Sequence, residues 1–162
     1  QTANKISRQS SVRGTKIHGV CEDYLNNKEL DTEMLSFVEE DMFDNMRLYL
    51  DKIDNIHAIE QFLYSDHLRL AGQADCIAEF EGKLSIIDFK TSAKPKTKSY
   101  IKNYFAQCAG YAIMFEERTG IPITNSVIII GVANEEPQLF IEHRDNYTEY
   151  LLECRDLYEN NA

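Results

Sequence analysis

Two periodicities run along this chain. Over residues 12–26 the apolar positions Ile17, Val20, Cys21, Tyr24 and Leu25 fall on one helical stripe, and Asn26 and Asn27 suit a helix end. A second helix is predicted over residues 32–52, with Thr32 as N-cap and Met34, Leu35, Phe37, Val38, Met42, Phe43, Met46, Tyr49, Leu50 and Ile53 as its apolar positions. The period then drops to two. Strands are predicted near 56–64, over 68–80 and over 83–91, with turns at 65–67 and 81–82. A polar connection at 92–98 contains Pro95 and precedes a third helix, about 99–118, that Gly120 ends. Residues 127–133 are almost continuously apolar, as in a central strand covered on both faces. A short strand at 138–142 and a helical tail at 146–158 complete the order α-α-β-β-β-α-β-β-α. That order predicts an α/β fold: a central mixed β-sheet flanked by helices, in one domain over 1–162.

The second and third strands of this pattern hold the most informative stretch. Glu81-Gly82 joins two alternating runs, and a two-residue loop ending in Gly is a favoured hairpin turn. In that register Phe80 faces Lys83 and Asp75 faces Asp88. Directly opposed side chains have Cβ atoms about 5 Å apart, so the two carboxylates repel. Lys90 follows Asp88 by two residues and lies on the same face. Such a triplet costs stability, and a divalent cation between the carboxylates, with the lysine beside a substrate, accounts for its presence.

Composition narrows the alternatives. The chain is 43% hydrophobic and 27% charged, ordinary for a globular domain. No apolar run approaches the roughly 20 residues a membrane helix needs, and no signal peptide is evident. Because the sequence opens on Gln1, residues upstream of it are expected to be missing. The cysteines Cys21, Cys76, Cys108 and Cys154 form no CxxC pair, which speaks against zinc or an iron–sulfur cluster and for buried thiols in a reducing, intracellular compartment.

Net charge is −10, which at first argues against a nucleic-acid partner. The distribution reverses that. Residues 1–21 carry Lys5, Arg8, Arg13 and Lys16 and no acid, and residues 90–103 carry Lys90, Lys94, Lys96, Lys98 and Lys102 and no acid, so local fields can attract phosphates. Tyr100, Tyr104 and Phe105 beside the second run are either stacking platforms for unpaired bases or helix core.

Three separated pieces then form one pattern: Gly14-Thr15-Lys16-Ile17-His18; Gly72-Gln73-Ala74-Asp75 with Ile87-Asp88-Phe89-Lys90-Thr91; and Gln107-Cys108-Ala109-Gly110-Tyr111, a Q-x-x-x-Y. Over about residues 12–133 this resembles the RecB-like branch of the PD-(D/E)XK nuclease superfamily, most of all the mitochondrial genome maintenance exonucleases and their phage and bacterial relatives. The resemblance implies a metal-dependent DNA nuclease. It assigns His18, Asp75, Asp88 and the Phe89 backbone carbonyl to Mg²⁺ or Mn²⁺, with Glu60 a further acid of the set. It assigns Lys90 to catalysis, and Gln107 and Tyr111 to the substrate. Arg13, Thr91, Lys94, Lys96 and Lys98 are the expected phosphate contacts. DNA, preferentially single-stranded, is the expected partner, with no membrane involved.

The chemistry agrees with these types. Carboxylate-bound Mg²⁺ or Mn²⁺ neutralises phosphate charge and lowers the pKa of bound water. A histidine ligand tilts the site toward Mn²⁺. Lys90 suits either the attacking water or the scissile phosphate, and both roles stay open. Gln107 and Tyr111, four apart on a helix, share a face. Two rivals use the same residues: a structure-specific endonuclease, and a DNA-binding module without catalysis.

Overall fold

The structure, a computed structural model, describes residues 2–161 and the side chains of residues 2–156. Its elements are α1 (Thr2–Leu25), α2 (Phe37–Leu50), β1 (Ile53–Ser65), β2 (Leu70–Phe80), β3 (Lys83–Ser92), a 3-10 turn at Lys98–Ile101 leading into α3 (Lys102–Thr119), β4 (Asn125–Val132), β5 (Gln138–His143) and α4 (Thr148–Asn161). This is the order that the hydrophobic pattern predicts. The five strands form one mixed sheet in the order β1-β2-β3-β4-β5, flanked by the four helices. No helix among the described residues is long and apolar enough to cross a membrane.

Two helix starts differ from expectation. Helix α1 begins at Thr2, not near residue 12, and residues 2–11 are all exposed. Elongating a formed helix costs little, and a solvated extension leaves no apolar stripe to read. Helix α2 begins after Ser36, not Thr32. The Ser36 hydroxyl accepts from the Glu39 backbone N–H at 3.2 Å, and Glu39 accepts from the Ser36 N–H at 2.9 Å, a capping box. Met34 and Phe37, which suggested the earlier start, are 70% and 90% exposed. Ser36→Ala is expected to cost about 1 kcal/mol in urea unfolding; a change within error would show the cap to be idle.

Contacts divide the chain into two compact units, one built on α1 and α2 with Phe89–Lys96 and Ile129–Leu139, the other on Ile53–Asp88, Thr97–Ile128 and the chain from Phe140 onward. In the first, Ile17 and Cys21 of α1 and Met42, Phe43 and Met46 of α2 are buried. Gly131 of β4 has no side chain because a Cβ there would lie 2.6 Å from Met46 Sδ. In the second, Ile77, Ile86, Phe105 and Ile123 are fully buried, and Phe105 stacks on Tyr147 with ring centroids 4.9 Å apart. All eight residues of β4 are buried, as a central strand requires.

The hairpin forms as its sequence predicts. Pairing runs from Phe80↔Lys83 to Cys76↔Ile87, and both turn residues, Glu81 (φ 49°) and Gly82 (φ 82°), are left-handed. That is the backbone of the primed turn that matches strand twist.

Candidate active site

The second unit holds the acidic residues. Extending the β2–β3 register one rung beyond Cys76↔Ile87 puts Asp75 opposite Asp88. On the other side of β2, β1 pairs Ile59 with Cys76 and Gln61 with Ala74, so Glu60 is the rung partner of Asp75. Three carboxylate-bearing positions therefore occupy one line across β1, β2 and β3. Asp88 is buried, at 4% exposure; Asp75 is half-buried and Glu60 exposed. Glu60 has a left-handed backbone (φ 54°), and its carbonyl accepts from Gln73 Nε2 at 2.9 Å. The one shift in β1–β2 pairing, between Asp54 and Ala58, lies before Glu60, so the register through it is regular.

Helix α3 brings Tyr111 to these acids. Burial pushes its phenol up to about 12, and the charges of Asp88 and Asp75 push in the same direction, while a hydrogen bond with Gln107 opposes them. A through-space effect of both carboxylates on one phenol means that all three groups share a neighbourhood. Tyr111 is thus a protonated O–H at any physiological pH. Gln107, one turn earlier, is exposed at the helix surface and partners Tyr111, as the i, i+4 spacing predicts. Cys76 points to the other strand face, where burial, and then the Asp75 charge, push its thiol up to about 12. It is an inert thiol.

Gly72 explains how the Tyr111 ring fits. A Cβ on Gly72 would lie 2.8 Å from Tyr111 Cε1 and 3.2 Å from Oη. The glycine of the Gly72-Gln73-Ala74-Asp75 run is therefore space for a ring. Gly72→Ala is expected to destabilise the protein by about 1–3 kcal/mol, as overpacking does. The double variant with Tyr111→Ala should cost less than the sum of the singles in urea unfolding; simple additivity would show that the two residues do not meet.

The first unit holds the basic residues and His18. His18 Nδ1 is 2.8 Å from Glu22 Oε1, one turn along α1. The His18 ring meets the Phe89 ring edge-on, with centroids 6.1 Å apart. That contact ties helix α1 to the residue after Asp88. Gly14 approaches the same strand: a Cβ there would lie 3.3 Å from Thr91 Oγ1. Lys90 and Thr91 are half-buried on β3. The segment after them is held firmly. Lys94 N donates to Ser92 Oγ at 3.3 Å, Ala133 N donates to Ser92 O at 3.0 Å, and the Gln138 side chain both accepts from Lys96 N and donates to Lys96 O at 2.8 Å. A cavity of about 400 Å³ opens there, lined by Ser10, Arg13, Thr91, Lys94 and Lys96 among others.

Other expected contacts have different settings. Lys98 is ion-paired with Glu142 of β5. Tyr100 is 79% exposed, Tyr104 is half-buried, and Phe105 is core, which removes Phe105 from the stacking platform. Glu22 is the neighbour of His18 that the sequence reading missed. The His-x-x-x-Glu spacing was the available signal. A carboxylate on Nδ1 places the imidazole lone pair on Nε2, the arrangement usual for a histidine that ligates a metal.

As donors, the paired carboxylates of Asp75 and Asp88 suit an oxygen-preferring divalent cation. The Tyr111 phenol is raised first by burial and then by the charges of Asp88 and Asp75, so both carboxylates lie near it.

Comparison with known proteins gives the same direction. A family model for the PD-(D/E)XK nuclease superfamily matches residues 22–142. Mitochondrial genome maintenance exonuclease 1 of Mus musculus is 32% identical over 85 residues, covering 52% of this chain and 25% of its own length. The Homo sapiens protein of that name is 30% identical over 86 residues, with the same coverage, 52% and 25%. The chain spans about a quarter of these curated relatives. A crystal structure of a provisionally assigned exonuclease from Eubacterium rectale superposes with a TM-score of 0.59 at 12% identity, over 92% of this chain and 65% of that one. At that identity the likeness establishes the fold.

Proposed function

This chain belongs to the PD-(D/E)XK nuclease superfamily, and on that premise we propose that it is a Mg²⁺- or Mn²⁺-dependent DNA exonuclease acting on single-stranded ends, flaps or overhangs. The observation that carries the reading is the rung shared by Asp75 and Asp88, with Lys90 two residues further along β3. The exonuclease part of the reading comes from the relatives named above.

Asp75, Asp88 and the Phe89 carbonyl would hold the ion, together with His18 and with Glu60 as the outer acid. When bound, the ion supplies positive charge against the phosphate and lowers the pKa of water. The protein's own groups do the rest. The Lys90 ammonium donates either to the attacking water or to the scissile phosphate. Tyr111, kept protonated by its surroundings, is a standing donor for a phosphate oxygen, and Gln107 orients it. Arg13, Thr91, Lys94, Lys96 and Lys98 bind the backbone, whose charge dominates affinity.

Linear and circular single-stranded DNA, the linear strand labelled at its 5′ or 3′ end, test this directly. With Mn²⁺ or Mg²⁺ the linear strand is expected to disappear from its ends and the circle to survive; chelation should stop both. Nicking of the circle would establish the endonuclease rival. Binding without any cleavage would establish the DNA-binding module.

A further inference from the structure

We propose that the solvated first half of α1 is a track for the sugar–phosphate backbone of a nucleic-acid strand, extending the substrate path beyond the segment at residues 91–96; this rests on the nuclease reading above. Lys5, Arg8, Val12 and Lys16 follow one another at spacings of three and four and so share one helix face. They span about 16 Å along the axis at roughly 1.5 Å per residue. This face lines a groove of about 600 Å³, together with Arg13, Ser36 and Glu39. Arg13 also lines the cavity of about 400 Å³ beside Thr91, Lys94 and Lys96. One arginine thus joins two cationic hollows within the same compact unit.

The acid in the groove does not cancel it. Glu39 is buried, at 5% exposure, and is engaged by the Ser36 N–H at 2.9 Å and by Lys16 at 3.5 Å. Burial alone would raise its carboxyl, yet the Ser36 hydrogen bonds and the Lys16 charge outweigh this and leave it below its ordinary value. Lys5 and Arg8 are exposed and Arg13 is half-buried. On a chain of net charge −10, this acid-poor face is where a polyanion can approach.

The lining also says what kind of grip this is. It contains no aromatic ring, so bases have nothing to stack on, and the contact reads phosphates without regard to sequence. An anionic membrane is the competing occupant. The exposed apolar residues Ile6 and Val12 stand about 120° apart around the helix, so they do not form a continuous apolar face for a bilayer.

The test is K5Q/R8Q, both substitutions exposed and neutral for the helix. Binding of a long single-stranded oligonucleotide is measured against salt concentration for wild type and variant. Losing two phosphate contacts should flatten the slope of log K against log [salt] by about 1.4, at roughly 0.7 per contact. The variant should also raise KM for the long strand and leave trinucleotide hydrolysis unchanged. If wild type cleaves but the slope is the same in both, the track is refuted and the nuclease reading stands. If the slope flattens while neither protein cleaves, the track stands and the nuclease reading fails. Absence of binding by wild type overturns both. Lys5- and Arg8-dependent sedimentation with phosphatidylserine vesicles, without a change in the DNA slope, assigns the face to membranes and overturns the track.

Discussion

Replacing Asp88 by Asn is expected to reduce hydrolysis of linear single-stranded DNA to background, to leave DNA binding in place, and to stabilise the metal-free protein. The three outcomes share one cause. Asp88 is buried at 4% exposure on the rung shared with Asp75. Opposed strand residues have Cβ atoms about 5 Å apart, and two unit charges at such a separation repel by roughly 3 kcal/mol at an effective dielectric near 20. Burial of Asp88 adds a desolvation cost. Asn keeps the shape and removes the charge, so the metal-free fold gains stability while the cation loses a ligand. A residue kept only for stability would behave in the opposite way.

Tyr111 gives an independent readout of the same charge. Its phenol stands at about 12 because of burial and then of Asp88 and Asp75. Removing the Asp88 charge should lower that value, which a ¹³C-tyrosine NMR titration measures in the metal-free protein. The sign for stability follows. A phenol whose folded pKa lies above its ordinary value near 10 contributes stability that is complete below pH 10 and is lost as pH rises from 10 toward 12. In Asp88→Asn that alkaline loss should shrink. An unchanged Tyr111 titration with unchanged stability would separate Asp88 from both neighbours and remove the basis for a shared metal.

The parts of this fold that could be read from sequence are those whose signal is local and doubled. The β2–β3 register follows from alternation on both strands and from Glu81-Gly82, whose left-handed turn leaves no room for a slip. Strand β4 was legible because burial on both faces makes residues 127–132 an unbroken run without a polar side chain. Where one residue type serves two environments, the pattern failed. Met34 and Phe37 resemble the buried stripe of α2 yet face solvent, and the capping box at Ser36 and Glu39 decides the start instead. Phe105 stood equally for stacking and for core, and contact with Tyr147, distant in sequence, settles it. The Asp75–Asp88 rung was legible because it lies within one hairpin. The Gly72–Tyr111 contact was not, because it joins β2 to α3 and carries no spacing signal. Glu22 escaped notice for another reason: His and Glu four apart on a helix look like an ordinary surface pair. The left-handed backbone of Glu60 and the pairing shift between Asp54 and Ala58 are irregularities of β1 that alternation alone does not reveal.

Lys90→Met is expected to lower kcat by about two to four orders of magnitude, the range over which positioned proton donors and electrostatic stabilisers act. Manganese binding, followed by calorimetry, should persist, because the carboxylates remain. The lysine lies on β3, two residues past Asp88, in half-buried surroundings where an ammonium is worth more than in bulk water. Two roles are open to it, and Lys90→Arg separates them. Arginine keeps the charge and forks onto phosphate oxygens, so a phosphate-clamping role should be partly rescued. Orientation of the attacking water needs a compact donor at one point, so arginine should then fare little better than methionine. The same distinction has a second signature. If Lys90 holds the phosphate, loss of its charge weakens the transition state at every pH. If it positions the water, the pH dependence of kcat should also move. Full activity in Lys90→Met would place the lysine outside the chemistry and return it to the role of a strand-end surface charge.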